Sequence, residues 1–106
     1  MANKQYNYYE NNSICYMMIE GDGSHNTFKF TVSSELLESI EGGAPTRASV
    51  SIIQDSTGLG LTATAALNTA LGVTTCTITF SQNLPASDPI NGPWIQIQVT
   101  FEFDSQ

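Results

Sequence analysis

Three residues that suit metal binding or acid–base chemistry cluster around one predicted turn. Glu20, Asp22 and His25 all fall within residues 20–25, where two glycines interrupt the sequence. Carboxylate and imidazole groups bind divalent metals, but a calcium loop or a zinc site needs more ligands at a fixed spacing. His25 is the only histidine, and no nucleophile elbow accompanies it. We therefore expect a solvated turn, with no metal and no catalytic group.

A glycine-rich segment matches the pattern of a phosphate-binding loop. Gly58, Gly60 and Ala63 fit G-x-G-x-x-A, in which close backbone approach cradles a pyrophosphate. However, Asp55-Ser-Thr separates the preceding strand from the first glycine. No acidic residue follows at the spacing of about twenty residues that ribose recognition needs. We therefore do not expect a dinucleotide or any other cofactor to bind here.

Acidic residues form two further groups. Asp88, Glu102 and Asp104 could act in glycoside hydrolysis only if two of them faced each other across a cleft, and nothing in their spacing specifies this. A short helix predicted at 34–41 carries an acidic strip, so an inhibitor that mimics nucleic acid is one alternative function. The strip consists of Glu35, Glu38 and Glu41.

Aromatic side chains offer a different kind of chemistry, the recognition of sugars or proteins by flat apolar surfaces. Trp94 is the only tryptophan and follows Pro93 at a predicted strand start, where it suits either a carbohydrate platform or an anchor for the preceding loop. Tyrosine buries a large amphipathic surface at low entropic cost and is enriched at protein interfaces. The candidate interaction residues are Tyr6, Tyr8, Tyr9, Trp94, Gln96 and Gln98.

All three of these tyrosines lie within the first thirteen residues, a polar segment. Residues 1–13 are rich in asparagine and tyrosine and cannot form a core alone. Two positions are open to them: an extended arm that binds a neighbouring subunit, which we favour, or a first edge strand on the same subunit. They also lack an apolar stretch, so we expect no secretory signal and synthesis in a cytoplasm.

Alternating apolar and polar residues predict most of the remaining chain as β-strands. The strands predicted at 14–20 and 27–33 are close in sequence, which indicates that they form a hairpin. The strand at 59–66 should pair back on 47–54, with a turn or short helical piece to follow. The predicted strands are 14–20, 27–33, 47–54, 59–66, 73–81 and 94–103.

The C-terminal strand, 94–103, is the clearest of these elements. Its inner face is apolar at every second position, whereas its outer face of glutamine and threonine is uncharged up to Glu102. We therefore interpret the outer face as a candidate contact surface. The loop before it, 82–93, contains three prolines and is long for a compact domain, and such loops are often functional.

Composition excludes several classes of partner. The chain has 106 residues, enough for one domain, and a net charge of −7 with only Lys4, Lys29 and Arg47 as basic residues. Phosphate and anionic lipid binding both require clustered basic side chains, so we exclude nucleic acids and membrane surfaces as partners. Cys15 and Cys76 lie in predicted strands, where we expect buried, reduced thiols.

These observations predict an all-β protein with one short helix, an antiparallel, jelly-roll-like β-sandwich at 14–106 preceded by the arm at 1–13. In size, composition and organisation the chain resembles small structural β proteins of tailed phages, of the capsid decoration (cement) type. The resemblance implies a non-enzymatic virion component, made in the host cytoplasm, that forms homo-oligomers and binds a larger capsid protein. A carbohydrate- or receptor-binding β-sandwich module is the main alternative.

Overall fold

Alternating residue types build the strands of this protein, because successive side chains of a β-strand point to opposite sides. The computed structural model describes residues 2–11, 13–32 and 45–102, and these contain seven strands. In chain order they are β1 (Lys4–Asn11), β2 (Ile14–Glu20), β3 (Thr27–Thr31), β4 (Arg47–Asp55), β5 (Ala63–Ala70), β6 (Val73–Phe80) and β7 (Ile95–Glu102).

The seven strands form two antiparallel sheets that pack face to face as a β-sandwich. The four-stranded sheet has the order β1-β2-β7-β4, and the three-stranded sheet has the order β3-β6-β5. The chain changes sheet after β2, β3, β4 and β6, which gives the jelly-roll-like winding that the sequence predicts. The predicted all-β sandwich is thus confirmed.

The core lies between the two sheets and is built from the side chains of each strand that point inward. Along β2 and β7, buried side chains alternate with half-buried ones, so one face of the four-stranded sheet is apolar. Phe30 joins the sheets, because its ring stacks on Phe28 at 5.7 Å between centroids and meets Phe101 edge-on at 6.5 Å. The side chains with no exposed area are Cys15, Met17, Ile19, Cys76, Ile78, Leu84, Ile95, Ile97 and Val99.

The C-terminal strand is confirmed as β7 and lies between β2 and β4 in the middle of its sheet. Its regular alternation follows from this position, because the second sheet covers one side and the other side faces outward. The strands predicted at 14–20, 27–33, 47–54 and 73–81 are present with similar bounds. The predicted loop at 82–93 forms no strand and contains an isolated bridge between Asp88 and Gly92.

The hairpin predicted between 14–20 and 27–33 is wrong. β2 pairs with β1 and β7, whereas β3 pairs with β6 in the other sheet. Both strands carry apolar side chains on one side, and placing them in opposite sheets buries these sides within one core. Tertiary burial therefore outweighs the preference of neighbouring strands for pairing with each other.

The strand predicted at 59–66 begins four residues later and does not pair with β4. β5 starts at Ala63 and forms a hairpin with β6 through eight consecutive residue pairs, from Ala63 opposite Phe80 to Ala70 opposite Val73. The residues after 66, where a turn or short helical piece is predicted, instead continue this strand to Ala70. The two-residue turn at Leu71 and Gly72 has positive φ at both positions, and the ladder it closes outweighs the helical propensity of alanine and leucine.

Residues 4–11 take the second of the two positions left open by the sequence. They form β1, which pairs with β2 at the edge of the four-stranded sheet. Lys4 lies opposite Glu20, and Asn11 lies opposite Ile14. This segment is thus part of the sandwich rather than an arm that leaves it.

The short helix predicted at 34–41, with its acidic strip, lies outside the described residues. Within residues 2–11, 13–32 and 45–102, no helix has the length and hydropathy needed to cross a membrane.

Candidate interaction surfaces

The outer face of the four-stranded sheet is the first candidate surface. Because Cys15, Met17 and Ile19 point into the core, the residues between them on β2 point outward. Residues opposite each other on paired strands share a side, so the strand register defines the rest of the face. In its middle it contains Tyr6, Tyr9, Tyr16, Met18, Ser49, Ser51, Gln54, Gln96, Gln98 and Thr100.

A β-bulge in β1 separates the three tyrosines of the sequence prediction. The register shifts between Tyr6 and Tyr9, and Asn7 has a φ of 52° there, a left-handed conformation that asparagine tolerates. Tyr6 and Tyr9 consequently point outward, whereas Tyr8 points inward and packs against the core. The Tyr8 hydroxyl donates a hydrogen bond to the Glu10 carboxylate at 3.0 Å. Tyr8 is therefore not part of the outer face.

Four of the predicted interaction residues meet on this face. Tyr9 lies opposite Tyr16, with ring centroids 6.2 Å apart, and Tyr16 lies opposite Gln98. In the next outward-facing row, Tyr6 lies opposite Met18, which lies opposite Gln96.

Tyr16 and Met18 are contact candidates that the sequence prediction missed. The run Ile-Cys-Tyr-Met-Met-Ile is apolar throughout, which is typical of a strand buried on both sides, but β2 is covered on one side only. The signal that could have identified them is the pairing of β2 with β7, whose alternation is clear in the sequence.

The charges on this face lie at its corners and balance. Lys4 lies opposite Glu20 at one corner, and the Arg47 guanidinium lies 3.1 Å from the Glu102 carboxylate at the diagonal corner. Two of the three basic residues of the chain are thus on this face. The described residues of the face have no net charge, although the net charge of the chain is −7. Exposed ion pairs of this kind contribute little to stability.

The outer face of the three-stranded sheet has a different composition. It consists of small, mostly hydroxylated side chains with a single positive charge and no aromatic group. In its middle it contains Thr27, Lys29, Thr31, Thr64, Ala66, Asn68, Thr75, Thr77 and Thr79, and Ala70 and the exposed Val73 lie at its hairpin end. Threonine suits an exposed strand surface, so this composition needs no partner to explain it.

Trp94 lies immediately before β7 and holds the proline loop to the sheet. Its indole Nε1–H donates a hydrogen bond to the Pro89 carbonyl at 3.2 Å, and its backbone N–H donates to the Ser56 hydroxyl at 2.6 Å. A Cβ added at Gly92 would lie 3.0 Å from two atoms of the ring. The loop thus packs closely against the indole, which does not form a free platform with Gln96 and Gln98.

The turn that contains Asp22 and His25 is satisfied by its own hydrogen bonds. The Asp22 carboxylate accepts the backbone N–H of Ser24 at 2.8 Å and that of His25 at 3.0 Å, and it also contacts His25 Nδ1. These hydrogen bonds, first that from Ser24, lower the pKa of Asp22 below its ordinary value. In the described part of the chain, no three His, Cys, Asp or Glu side chains are placed to hold a metal ion.

The backbone of the glycine loop at 58–63 is likewise hydrogen-bonded to a side chain of the same protein. One oxygen of Asp55 accepts the backbone N–H of Thr57 at 2.9 Å, and the other accepts that of Leu61 at 3.1 Å. These amides therefore face a carboxylate instead of being free for a phosphate, and a strand follows the loop where a dinucleotide site needs a helix.

The carboxylates considered for glycoside hydrolysis are far apart. Asp88 caps the turn before β7 by accepting the backbone N–H groups of Ile90 and Asn91, and Glu102 pairs with Arg47 at the far end of the same strand. A strand of eight residues spans roughly 26 Å, which is more than a glycosidase pair allows. Asp104 lies outside the described residues.

The two cysteines are buried, free thiols on opposite sheets, as the sequence led us to expect. Burial raises the pKa of Cys15 to about 11 and that of Cys76 to about 12. A side-chain interaction with Tyr8 partly offsets the effect of burial on the pKa of Cys15. Because the thiolate is the reactive form, neither side chain is a nucleophile near neutral pH.

Comparison with known proteins identified no relative. No family model matches the chain. Neither the curated proteins nor the solved structures contain a match.

Proposed function

We propose that this chain is a non-enzymatic structural protein that assembles with its own copies through the outer face of the four-stranded sheet. The composition of that face supports the proposal. Protein interfaces are enriched in tyrosine and methionine and depleted in lysine, aspartate and glutamate, and Tyr9, Tyr16 and Met18 give this face that character. Two copies of a chain with charge −7 repel each other, and a face without net charge lets them approach at a low electrostatic cost.

Within that class, we propose a virion component of the capsid decoration type. Such a protein binds its neighbours and a larger shell protein, is made in the host cytoplasm and needs no cofactor, nucleic acid or membrane. The small single sandwich and the low proportion of charged residues, 12%, support this assignment. A capsid or tail gene beside the coding gene is the expected finding, and neighbours of unrelated metabolic function would contradict it.

The assembly proposal is tested by placing a charge at the centre of each outer face. Gln98 lies on β7 between β2 and β4, and Thr77 lies at the matching position on β6, between β3 and β5. We expect Gln98→Lys to weaken self-association roughly tenfold or more, because an unpaired charge would be buried in the contact. Thr77→Lys is the matched control and should leave association unchanged. Light scattering over a concentration series measures the mass of each variant against that of the 11.5 kDa subunit.

Methionine oxidation gives a second readout that is specific to the face. Met18 is half-buried on the outer face, and Met17 beside it is fully buried in the core. Peroxide should oxidise Met18 more slowly as the protein concentration rises, whereas Met17 should react slowly throughout. A rate for Met18 that is independent of concentration, together with an unchanged mass for Gln98→Lys, would refute the proposal.

A further inference from the structure

Edge strands expose unpaired backbone groups, and natural proteins protect them with bulges, charges, short length or a covering group. The described sheets have four edge strands, β1, β3, β4 and β5. β1 is interrupted by the bulge between Tyr6 and Tyr9. β4 is interrupted by a bulge between Ile52 and Gln54 and begins with the charged Arg47. Two of the four edges are therefore protected by irregular geometry.

The edge at β3 is protected in another way. This strand has only five residues and carries Lys29. The side-chain amide of Asn3 donates hydrogen bonds to the carbonyls of Thr27 at 2.8 Å and His25 at 3.0 Å. Asn3 is buried and also accepts the backbone N–H of Asp22. A side chain of the protein itself thus occupies the start of this edge.

Within the described part of the chain, β5 has none of these protections. It is eight residues long, runs without a register shift and contains no proline or charged residue. It lies within residues 56–87, a stretch with no charged residue or histidine in a chain that is otherwise strongly acidic. Electrostatic repulsion between copies is consequently low here as well.

The direction of the free backbone groups on β5 follows from its pairing with β6. The Ser81 N–H donates to the Thr62 carbonyl at 2.8 Å, which makes these two residues a hydrogen-bonded pair. Such pairs alternate along an antiparallel ladder, so Thr64, Ala66 and Asn68 bond to β6. The N–H and C=O groups of the intervening residues point to the open edge. These residues are Ala63, Ala65, Leu67 and Thr69.

The hairpin tip beside this edge is also unusual. Leu71 is fully exposed and has a φ of 53°, a conformation that favours glycine or asparagine over leucine. An exposed leucine in a strained conformation gives the isolated subunit neither packing nor turn stability. Its presence is explained if the side chain contacts another molecule.

We propose that β5 pairs antiparallel with β5 of a second copy about a two-fold axis, which joins two three-stranded sheets into one of six strands. The inference deepens the proposed assembly function, on which it rests for its biological purpose. Identical strands pair symmetrically, and the four residues of each copy whose backbone groups point to the open edge would form about eight hydrogen bonds. In the register that pairs these four residues with those of the second copy, Leu71 of each copy lies beside Leu59 and Leu61 of the other.

Hydrogen exchange and mass test the pairing directly. At low concentration, the amides of Ala65, Leu67 and Thr69 should exchange at the rate of unprotected groups, and in the dimer they should become protected. Ala66→Lys places a charge on the outer face at the open edge and should raise the dissociation constant roughly tenfold or more. Thr77→Lys, at the residue opposite Ala66 on β6, lies one strand away from the edge and should have no effect.

A second variant separates contact from folding. Leu71→Asn suits the left-handed turn, so the melting temperature of the dilute monomer should be equal or higher. The same change removes the apolar contact and should weaken the dimer roughly threefold or more. A folding defect would instead lower the melting temperature.

Two results would overturn the edge pairing: amides at 65, 67 and 69 that remain unprotected at every concentration, or equal effects of Ala66→Lys and Thr77→Lys. The outcome is distinguishable from failure of the proposed function. If Gln98→Lys leaves mass and Met18 oxidation unchanged while the β5 amides are protected, the face is not a contact but the edge pairing stands. Loss of the edge protection alone leaves the outer-face proposal intact.

Discussion

The two outer faces of this sandwich have the same backbone architecture and different chemistry. The face of the four-stranded sheet combines tyrosine, methionine and glutamine, and its four charged residues balance. The face of the three-stranded sheet is composed mainly of threonine, and Lys29 is its only charge among the described residues. Both compositions satisfy the requirements of a strand exposed on one side. The proposed assembly depends on the first face, above all on Tyr9, Tyr16 and Met18.

The largest expected effect separates the core from the outer face within one strand. Met17 and Met18 are neighbours on β2, but only Met17 has no exposed area. Met17→Ala should lower the free energy of unfolding by about 3 kcal/mol, because it leaves a cavity between the sheets. Met18→Ala should cost less than about 1 kcal/mol in the dilute subunit. Urea denaturation measures both, and equal losses would mean that the inward and outward sides of β2 are misassigned.

An intermediate effect compares the two sheets through their buried thiols. Burial raises the pKa of Cys15 to about 11 and that of Cys76 to about 12, both above the ordinary value of 9.0. The protonated thiols therefore stabilise the fold fully below pH 9, and this stability is lost as the pH rises through 11 and 12. At pH 11 the loss from Cys15 should be on the order of 2 kcal/mol.

Thiol titration in the native state checks the order of the two groups. The side-chain interaction with Tyr8 lowers the pKa of Cys15, which should therefore ionise at the lower pH, whereas no such interaction lowers the pKa of Cys76. Tyr8→Phe removes the hydroxyl and should narrow the pKa difference between the two thiols. If Cys76 ionises first, the contact between Tyr8 and Cys15 does not have the assigned effect.

The smallest expected effect concerns the charges on the two faces. Arg47→Gln removes the ion pair with Glu102, whose side chains are both more than half exposed. The change in the free energy of unfolding should stay below about 0.5 kcal/mol and vanish in high salt. Lys29→Gln on the other face is the control and should be equally neutral. Exposed ion pairs contribute at most roughly 1 kcal/mol. A larger loss for Arg47→Gln alone would mean that this pair has a structural role.

Much of the strand content could be predicted because burial on one side leaves a period of two in the sequence. β7 shows this most clearly, since a strand pairs with it on each edge and the second sheet covers its apolar side. β2 was also predicted, but its outward Tyr16 and Met18 were concealed by their apolar character. The candidate face was thus predicted in part, through Tyr6, Tyr9, Gln96 and Gln98.

Strand pairing was predicted less well. The separation of β2 from β3 depends on apolar sides that meet across the core, and no local residue pattern records such a contact. The start of β5 at Ala63 depends on its ladder with β6, whereas the alternation of Leu59 and Leu61 suggested an earlier start. The bulge that turns Tyr8 inward depends on the same kind of pairing, here between β1 and β2.

The sequence by itself determined the fold class, the inward side of β7 and the scarcity of charge, because each follows from residue type and spacing along a single segment. Only the tertiary structure decided which strands are neighbours, which tyrosines share a face and which edge is left unprotected. These features arise from contacts between segments distant in sequence, where burial of a shared core selects one pairing among several that the local pattern permits. The face around Tyr16 and the open edge of β5 both belong to this second group.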